Sequence, residues 1–405
     1  MIQPVRSHSS PSSSCEFHRN VRPFLVMDLH RQASALEEAG HPVCHLEAGL
    51  PEFQAPGRIL DAAREAIGSE SLGYTPSRGL SVLCAKIAEY YQRYYHLDVD
   101  PGEVLITTGS SGGFQIAFLA AFRPAAAIAL TEPGYPAYRN ILNALGFSVV
   151  SLPVSPAHGF RLRVCDLEQS WHQHRFEGLV LANPANPTGA MIAPCDLKAI
   201  VDFCDLHDIR IISDEIYHRL EWGEPACTIR AFSRRHIVVN SFSKFFAMTG
   251  WRVGWVIMPE GLGQDAWNLQ ANLFICAPAI SQYASLAAFE CDDVLEGYKA
   301  IYRTNRSRLL AVLQRLGIDC AGGPDGSFYI YADIGHLTND STSWCHQLLR
   351  QTGVALAPGE DFDPQHGKRC VRFAFARSEQ EVIRAIDRLE AYLSAGDAGS
   401  PGQYV

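Results

Sequence analysis

At 405 residues the chain is longer than a single hydrophobic core ordinarily supports, so length alone predicts two units. A formal net charge of -9, with 34 Lys and Arg against 43 Asp and Glu, gives no basic footprint for nucleic acid. No apolar run reaches the roughly 18 residues that cross a bilayer, the N-terminal stretch lacks the apolar core of a signal peptide, and 12 scattered cysteines without a C-x-x-C pair predict reduced thiols in a cytoplasmic protein and no metal site.

Residues up to about Phe24 are rich in Ser, Pro and His, and disorder is expected from Ser7 to Ser14. A helix is predicted from Val26 to Glu38, with Gly40 in the C′ position. Apolar residues at three- and four-residue spacing (Ile59, Leu60, Ala63, Ile67; then Leu80, Leu83, Ile87, Tyr91) predict two more. Val104-Leu105-Ile106 reads as a strand, followed by a glycine turn and a helix starting near Phe114. Strands and helices then alternate as far as Val253-Gly254-Trp255-Val256-Ile257, which implies a largely parallel sheet covered on both faces. After Tyr298 a long charged helix leads to a smaller α+β unit holding Gly326-Ser327-Phe328-Tyr329-Ile330-Tyr331 and packing with the N-terminal segment. The expected division is an arm at 1–24, a large domain at 47–300, a small domain from 25–46 with 301–394, and a mobile tail at 395–405.

Three of the predicted strands end in residues that carry chemistry. Leu179-Val180-Leu181-Ala182 runs into Asn183-Pro184-Ala185-Asn186-Pro187-Thr188-Gly189, where two prolines and a glycine fix the loop and the orientation of Asn186. Ile209-Arg210-Ile211-Ile212-Ser213 delivers Asp214, with Tyr217 three residues later. Ile237-Val238-Val239 leads to Ser241-Phe242-Ser243-Lys244, and Arg252 follows eight positions on. Taken singly, Asn186 is a turn residue, Asp214 a helix N-cap and Lys244 a surface cation. As an ordered set they fall at the carboxyl ends of strands, where open α/β sheets bind ligands. Partial desolvation there favours the neutral amine of Lys244, the only form that adds to a carbonyl. The guanidinium of Arg252 matches a phosphate bidentately. Gly109, Ser110 and Ser111 precede the helix predicted near Phe114, whose free N–H groups would make an anion site, although alone they read as a flexible turn.

From about Leu46 to Tyr392 the chain resembles the fold-type I pyridoxal-phosphate enzymes, specifically the class I/II aminotransferases of the aspartate aminotransferase superfamily. The resemblance implies an α/β fold with a mostly parallel central sheet and a smaller α+β domain, pyridoxal 5'-phosphate as cofactor, and a homodimer with shared sites. It makes Lys244 the Schiff-base lysine, Asp214 the partner of the ring nitrogen, and Tyr217 and Asn186 the hydrogen-bond partners of the ring 3-oxygen. Arg252, Ser241, Gly109, Ser110 and Ser111 become the phosphate cup. Tyr135, in Pro133-Gly134-Tyr135-Pro136-Ala137-Tyr138, becomes the aromatic that stacks on the ring, where an unassisted reading finds a core or turn tyrosine. Tyr74, in Leu72-Gly73-Tyr74-Thr75-Pro76, becomes the residue that reaches the other protomer's phosphate, or else a brace for its own loop. Arg372, in Val371-Arg372-Phe373-Ala374-Phe375-Ala376, becomes the grip on the substrate α-carboxylate, with Asn186 and Gly49 beside it. A surface strand arginine is the alternative at Arg372, but Gly353-Val354-Ala355-Leu356-Ala357-Pro358-Gly359 also follows the family pattern.

The activity implied is ping-pong transfer of an amino group between an L-amino acid and a 2-oxo acid. Elimination, ring closure and retro-aldol cleavage use the same residues, so a lyase or cyclase is the alternative. An aminotransferase-like regulator would carry a winged-helix domain. Fewer than fifty residues precede the matched region, and they are not strongly basic and lack a three-helix pattern. A dicarboxylate substrate would call for a second arginine, for which Arg22 and Arg78 are the candidates, neither marked by a motif.

Overall fold

The first helix among the described residues ends as its sequence dictates. In the computed structural model, which describes residues 21–321 and 323–396, α1 (Leu25–Glu38) stops at Ala39, and Gly40 takes a φ of +87° that a residue with a Cβ rarely adopts. The Gly40 N–H then reaches the Glu37 carbonyl and the His41 N–H the Leu36 carbonyl, a Schellman closure. The start of α1 is held from far away: Leu25 N–H and Val26 N–H donate to the two carboxylate oxygens of Asp361 at 2.8 and 2.7 Å. The expectations for Ser7 to Ser14 and for the chain beyond residue 396 lie outside the described residues.

After β1 (Cys44–His45) come α2 (Gly57–Ser69) and α3 (Ser81–Tyr95), the two helices predicted from spacing. Ile59 and Ala63 are buried, whereas Ile67 is exposed. Next are β2 (Val104–Thr107), α4 (Gly109–Ala121), β3 (Ala127–Glu132), α5 (Pro136–Leu145), β4 (Ser148–Pro153), α6 (Val164–His174), β5 (Gly178–Ala182) and α7 (Pro194–Leu206). Strands β6 (Arg210–Asp214), β7 (Ile237–Ser241) and β8 (Gly254–Ile257) complete a seven-stranded sheet of order β2-β8-β7-β6-β5-β3-β4. The sheet is parallel except at β8, which runs antiparallel to both its neighbours. The segment from β7 to β8 contains turns and a single 3-10 turn at Thr249–Trp251, and a parallel return needs a longer crossover that is usually an α-helix. The other six strands point the same way, so their carboxyl ends share one edge.

Helix α4 begins at Gly109, five residues earlier than predicted. The Gly-Ser-Ser-Gly-Gly run is a poor helix former, but the sheet requires it. A Cβ on Gly113 would lie 2.9 Å from Val256 and 3.3 Å from Val239, so only glycine lets the helix approach the strands this closely.

Beyond α8 (Gly263–Leu273) and α9 (Ala279–Leu286) comes the long helix α10 (Asp292–Arg315), which contains residue 300. Two small sheets follow. β9 (Tyr329–Asp333), β11 (Ala357–Pro358) and β12 (Cys370–Ala374) form an antiparallel set in the order β11-β12-β9, with α11 (Ser341–Thr352) between β9 and β10 (Val354–Ala355) in the chain. β10 pairs in parallel with β1, which ties the N-terminal segment to the C-terminal part. Helix α12 (Glu379–Gly396) takes in the first two residues of the predicted tail. Large side chains such as Trp255, Phe118, Phe242 and Phe328 are fully buried, and each adds roughly 1.5–3 kcal/mol of transfer free energy.

Candidate active site

At the shared edge, the turn after β7 carries Lys244 to the floor of a cavity of about 510 Å³. Its Nζ donates to the Gly49 carbonyl at 2.5 Å. Burial, then the positive charges of Arg372 and Arg252, push the ammonium down to about 8 against an opposing pull from Asp214. A lysine in that state supplies neutral amine near physiological pH, as addition to a carbonyl requires.

Asp214 ends β6 and is 2% exposed. Its Oδ1 accepts the Ile216 N–H at 3.1 Å and its Oδ2 accepts the Tyr138 hydroxyl. Burial raises this carboxyl to about 6, against the lowering effect of those two bonds and of Lys244. A carboxylate buried beside the cavity with no cationic hydrogen-bond partner is poised to receive one. The Tyr217 hydroxyl pairs with that of Tyr329 at 2.9 Å.

Arg252 is held with a left-handed φ of +53° and donates from Nη1 to the Thr249 carbonyl at 3.1 Å. A Cβ on Gly109 would sit 2.5 Å from its Nη2, so the absence of a side chain there brings the guanidinium against the first turn of α4. Ser110 and Ser111 line the cavity at the same place. Guanidinium, free helix N–H groups and hydroxyls together form an anion cradle. Ser241 does not face the cavity: its Oγ is engaged with the Val253 carbonyl, the Ser243 hydroxyl and the Ser243 N–H, and Ser243 lines the wall instead.

Arg372, on β12, is 4% exposed. It donates from Nη1 to Asn186 Oδ1 at 3.0 Å and from Nη2 to the Glu47 carbonyl at 2.6 Å. The Tyr329 and Phe362 rings lie 4.2 and 4.6 Å from its central carbon. Its Nε is buried without a protein partner, a donor that a bound carboxylate would satisfy. Gly49 fits against the Tyr329 hydroxyl, where a side chain would clash.

The cavity thus gathers Gly49, Ser110, Ser111, Tyr135, Asn186, Asp214, Tyr217, Lys244, Arg252 and Arg372. Gly109 backs Arg252 from behind. Tyr74 stands apart from this wall and is 82% exposed. Arg22 and Arg78 do not line the cavity: Arg22 gives its backbone N–H to Asn140, and the Arg78 guanidinium lies over Trp267. Sequence reasoning assigned no role to Tyr138 or Tyr329, although both lie within motifs it quoted, and it overlooked the apolar residues that α1 contributes.

The family model for aminotransferase class I and II matches residues 42–389. The chain belongs to this family. The valine–pyruvate aminotransferase of Mycobacterium tuberculosis is 43% identical over 92% of this chain and 97% of its own length. The (5-formylfuran-3-yl)methyl phosphate transaminase of Methanocaldococcus jannaschii is 33% identical over 93% and 98%. A crystal structure of an aminotransferase from M. tuberculosis superposes with a TM-score of 0.91 at 42% identity, covering 95% of this chain and all of that one. This chain is accordingly a pyridoxal-phosphate-dependent aminotransferase with the fold-type I architecture. The cavity fits that cofactor: an amine, a buried carboxylate, paired phenols and a glycine-backed anion cradle share one space.

Proposed function

We propose that this aminotransferase moves the amino group of a small apolar L-amino acid to a 2-oxo acid in two half-reactions. The observation that carries the substrate class is the cavity wall: Phe24, Val26, Met27, Leu50, Ile141 and Phe362 supply its apolar part. Among the described residues lining it, the basic side chains are His30, Lys244, Arg252 and Arg372, so no further arginine is present for a second carboxylate. The 43% identity to a relative named valine–pyruvate aminotransferase points the same way.

Bound pyridoxal phosphate supplies a ring that accepts the electrons released at the substrate's Cα. Arg252, Ser110, Ser111 and the start of α4 would hold its phosphate, Asp214 would favour a protonated ring nitrogen, Tyr217 and Asn186 would bond the ring oxygen, and Tyr135 would pack on the ring. Arg372 would grip the substrate α-carboxylate. The amine of Lys244 would hold the cofactor and serve as the base that moves the proton at Cα.

We further propose a homodimer in which Tyr74 reaches the neighbouring site. Its exposed phenol, with Ile67 and Leu72 exposed nearby, suits a covered surface. The cytoplasm is the proposed location, supported by eleven described cysteines that are all free thiols. Among the described residues no helix is long and apolar enough to cross a membrane.

The test is a donor panel of valine, leucine, alanine, phenylalanine and aspartate with pyruvate or 2-oxoglutarate, read by mass spectrometry. An apolar donor should exceed aspartate in kcat/KM by at least about tenfold, the discrimination expected when a charged group meets an apolar wall. Preference for aspartate overturns the substrate class; release of ammonia or a cyclised product overturns amino transfer.

A further inference from the structure

Beside the cavity, α1, β1 and the segment after β1 bring together three side chains that the amino-transfer chemistry does not use. His30 Nδ1 lies 2.7 Å and His45 Nδ1 2.8 Å from the same oxygen, Glu47 Oε1. One ligand atom from each residue lies within 4.8 Å of the other two. The Glu47 side chain is fully buried, and its second oxygen, Oε2, has no hydrogen-bond partner. On the other side of the His45 ring, Nε2 lies 3.0 Å from Glu37 Oε2.

Two imidazoles donating to a buried carboxylate could serve simply to fasten α1 to β1. That role accounts for Oε1 and leaves Oε2 bare, at a cost of about 1–3 kcal/mol for a buried acceptor. It also leaves the Glu37 contact as a surplus. Both features have a place in a metal centre, where a ligating histidine is oriented by a carboxylate on its far nitrogen and a buried carboxylate can use either oxygen. Two imidazole nitrogens and one carboxylate suit zinc and its first-row neighbours.

We propose that His30, His45 and Glu47 bind one divalent transition-metal ion of the zinc class, with Glu37 orienting His45 from outside. On binding, each Nδ1 gives up the proton it now shares with Glu47 and turns its lone pair to the ion, and each ring ends as a neutral imidazole with its single proton on Nε2, which in His45 faces Glu37. His30 is partly exposed and lines the cavity, which gives the ion a route in and a coordination position open to solvent. The ion would pin α1, which carries Val26 and Met27 and is preceded by Phe24, to the segment whose Glu47 carbonyl holds Arg372. The site therefore stiffens the substrate wall without entering the chemistry.

Cobalt(II) chloride titrated into the holoenzyme, in a non-coordinating buffer without amino acid, tests the site. The expected result is visible d–d absorbance that saturates at one cobalt per chain and is abolished by zinc. His30→Gln and His45→Gln should each weaken binding by at least about tenfold, the loss seen even for groups one shell further out. Zinc should raise the Tm of the wild type and not that of His30→Gln. No saturable absorbance, or equal cobalt affinity in both variants and the wild type, overturns the proposal.

Discussion

The Tyr138 hydroxyl donates to Oδ2 of Asp214, so a phenol from α5 and the Ile216 N–H hold the two oxygens of one buried carboxylate. Burial has already raised this carboxyl to about 6, and the Tyr138 bond opposes that rise. Tyr138→Phe should push it higher still. In the apo-protein, pyridoxal-phosphate affinity should weaken as pH falls through about 6, and in the variant this limb should move to higher pH. Absorbance titrations of cofactor into both proteins across the acid range measure the limb; coincident curves would remove Tyr138 from the site.

Asp214 also links function to stability. Its native value of about 6 lies above the ordinary 3.8, so the fold favours the neutral acid. That contribution is complete below the unfolded value and is lost as pH rises through about 6. Near neutral pH the apo-protein bears about 3 kcal/mol of strain from this one ionisation. Asp214→Asn should therefore raise the apo-protein Tm at neutral pH, and the gain should shrink in acid. Exchange of the substrate Cα proton should fall by several orders of magnitude. A neutral-pH Tm at or below wild type contradicts the first expectation; near-wild-type exchange contradicts the role.

Lys244 presents the opposite sign. Its ammonium is lowered to about 8, so the rate at which apo-protein captures pyridoxal phosphate should climb as pH rises through about 8, well below an ordinary lysine. Borohydride should fix the cofactor to Lys244 in the wild type and leave Lys244→Ala unlabelled. A labelled tryptic peptide containing another lysine rejects the assignment.

At Arg372 the fork matters as well as the charge. Arg372→Lys keeps a cation but loses the planar fork that directs separate donors to Asn186, the Glu47 carbonyl and a carboxylate at once. Losing two charge-assisted bonds of about 1.5–3 kcal/mol each should lower kcat/KM by about 10² to 10⁴. Steady-state kinetics with the best apolar donor decides; a change below a few-fold would mean that the carboxylate binds elsewhere.

The shared-site model predicts complementation. Tyr74→Ala and Lys244→Ala, each inactive or weak alone, should regain activity when mixed and reassembled, because some hybrid sites contain both native residues. Full activity from a monomer at assay concentration rejects it.

The strand ends were legible because each runs apolar into a polar residue, a pattern that survives without knowing which strands are neighbours. The reversal of β8 was hidden because Val253 to Ile257 reads the same in either direction. The α4 start was misplaced because glycines that lower helix propensity are there for close approach to Val256 and Val239, a cross-chain constraint. Ser241 and Ser243 flank one turn, and spacing alone could not tell which hydroxyl is consumed inside it. The wall formed by Phe24, Val26 and Met27 was unreadable because α1 and the residue before it meet the cavity only through long-range contacts.

Those contacts also set an order of assembly. The α1 amides are anchored by Asp361, 336 and 335 residues away, His45 N–H is held by Glu381 at a separation of 336, and β1 finds its partner only in β10. A ribosome delivers α1 first and these anchors last. The earliest helix among the described residues must therefore wait, unsecured, for nearly the whole chain before it can dock. A nascent chain halted before Asp361 would have the central sheet in hand and its selectivity still undetermined.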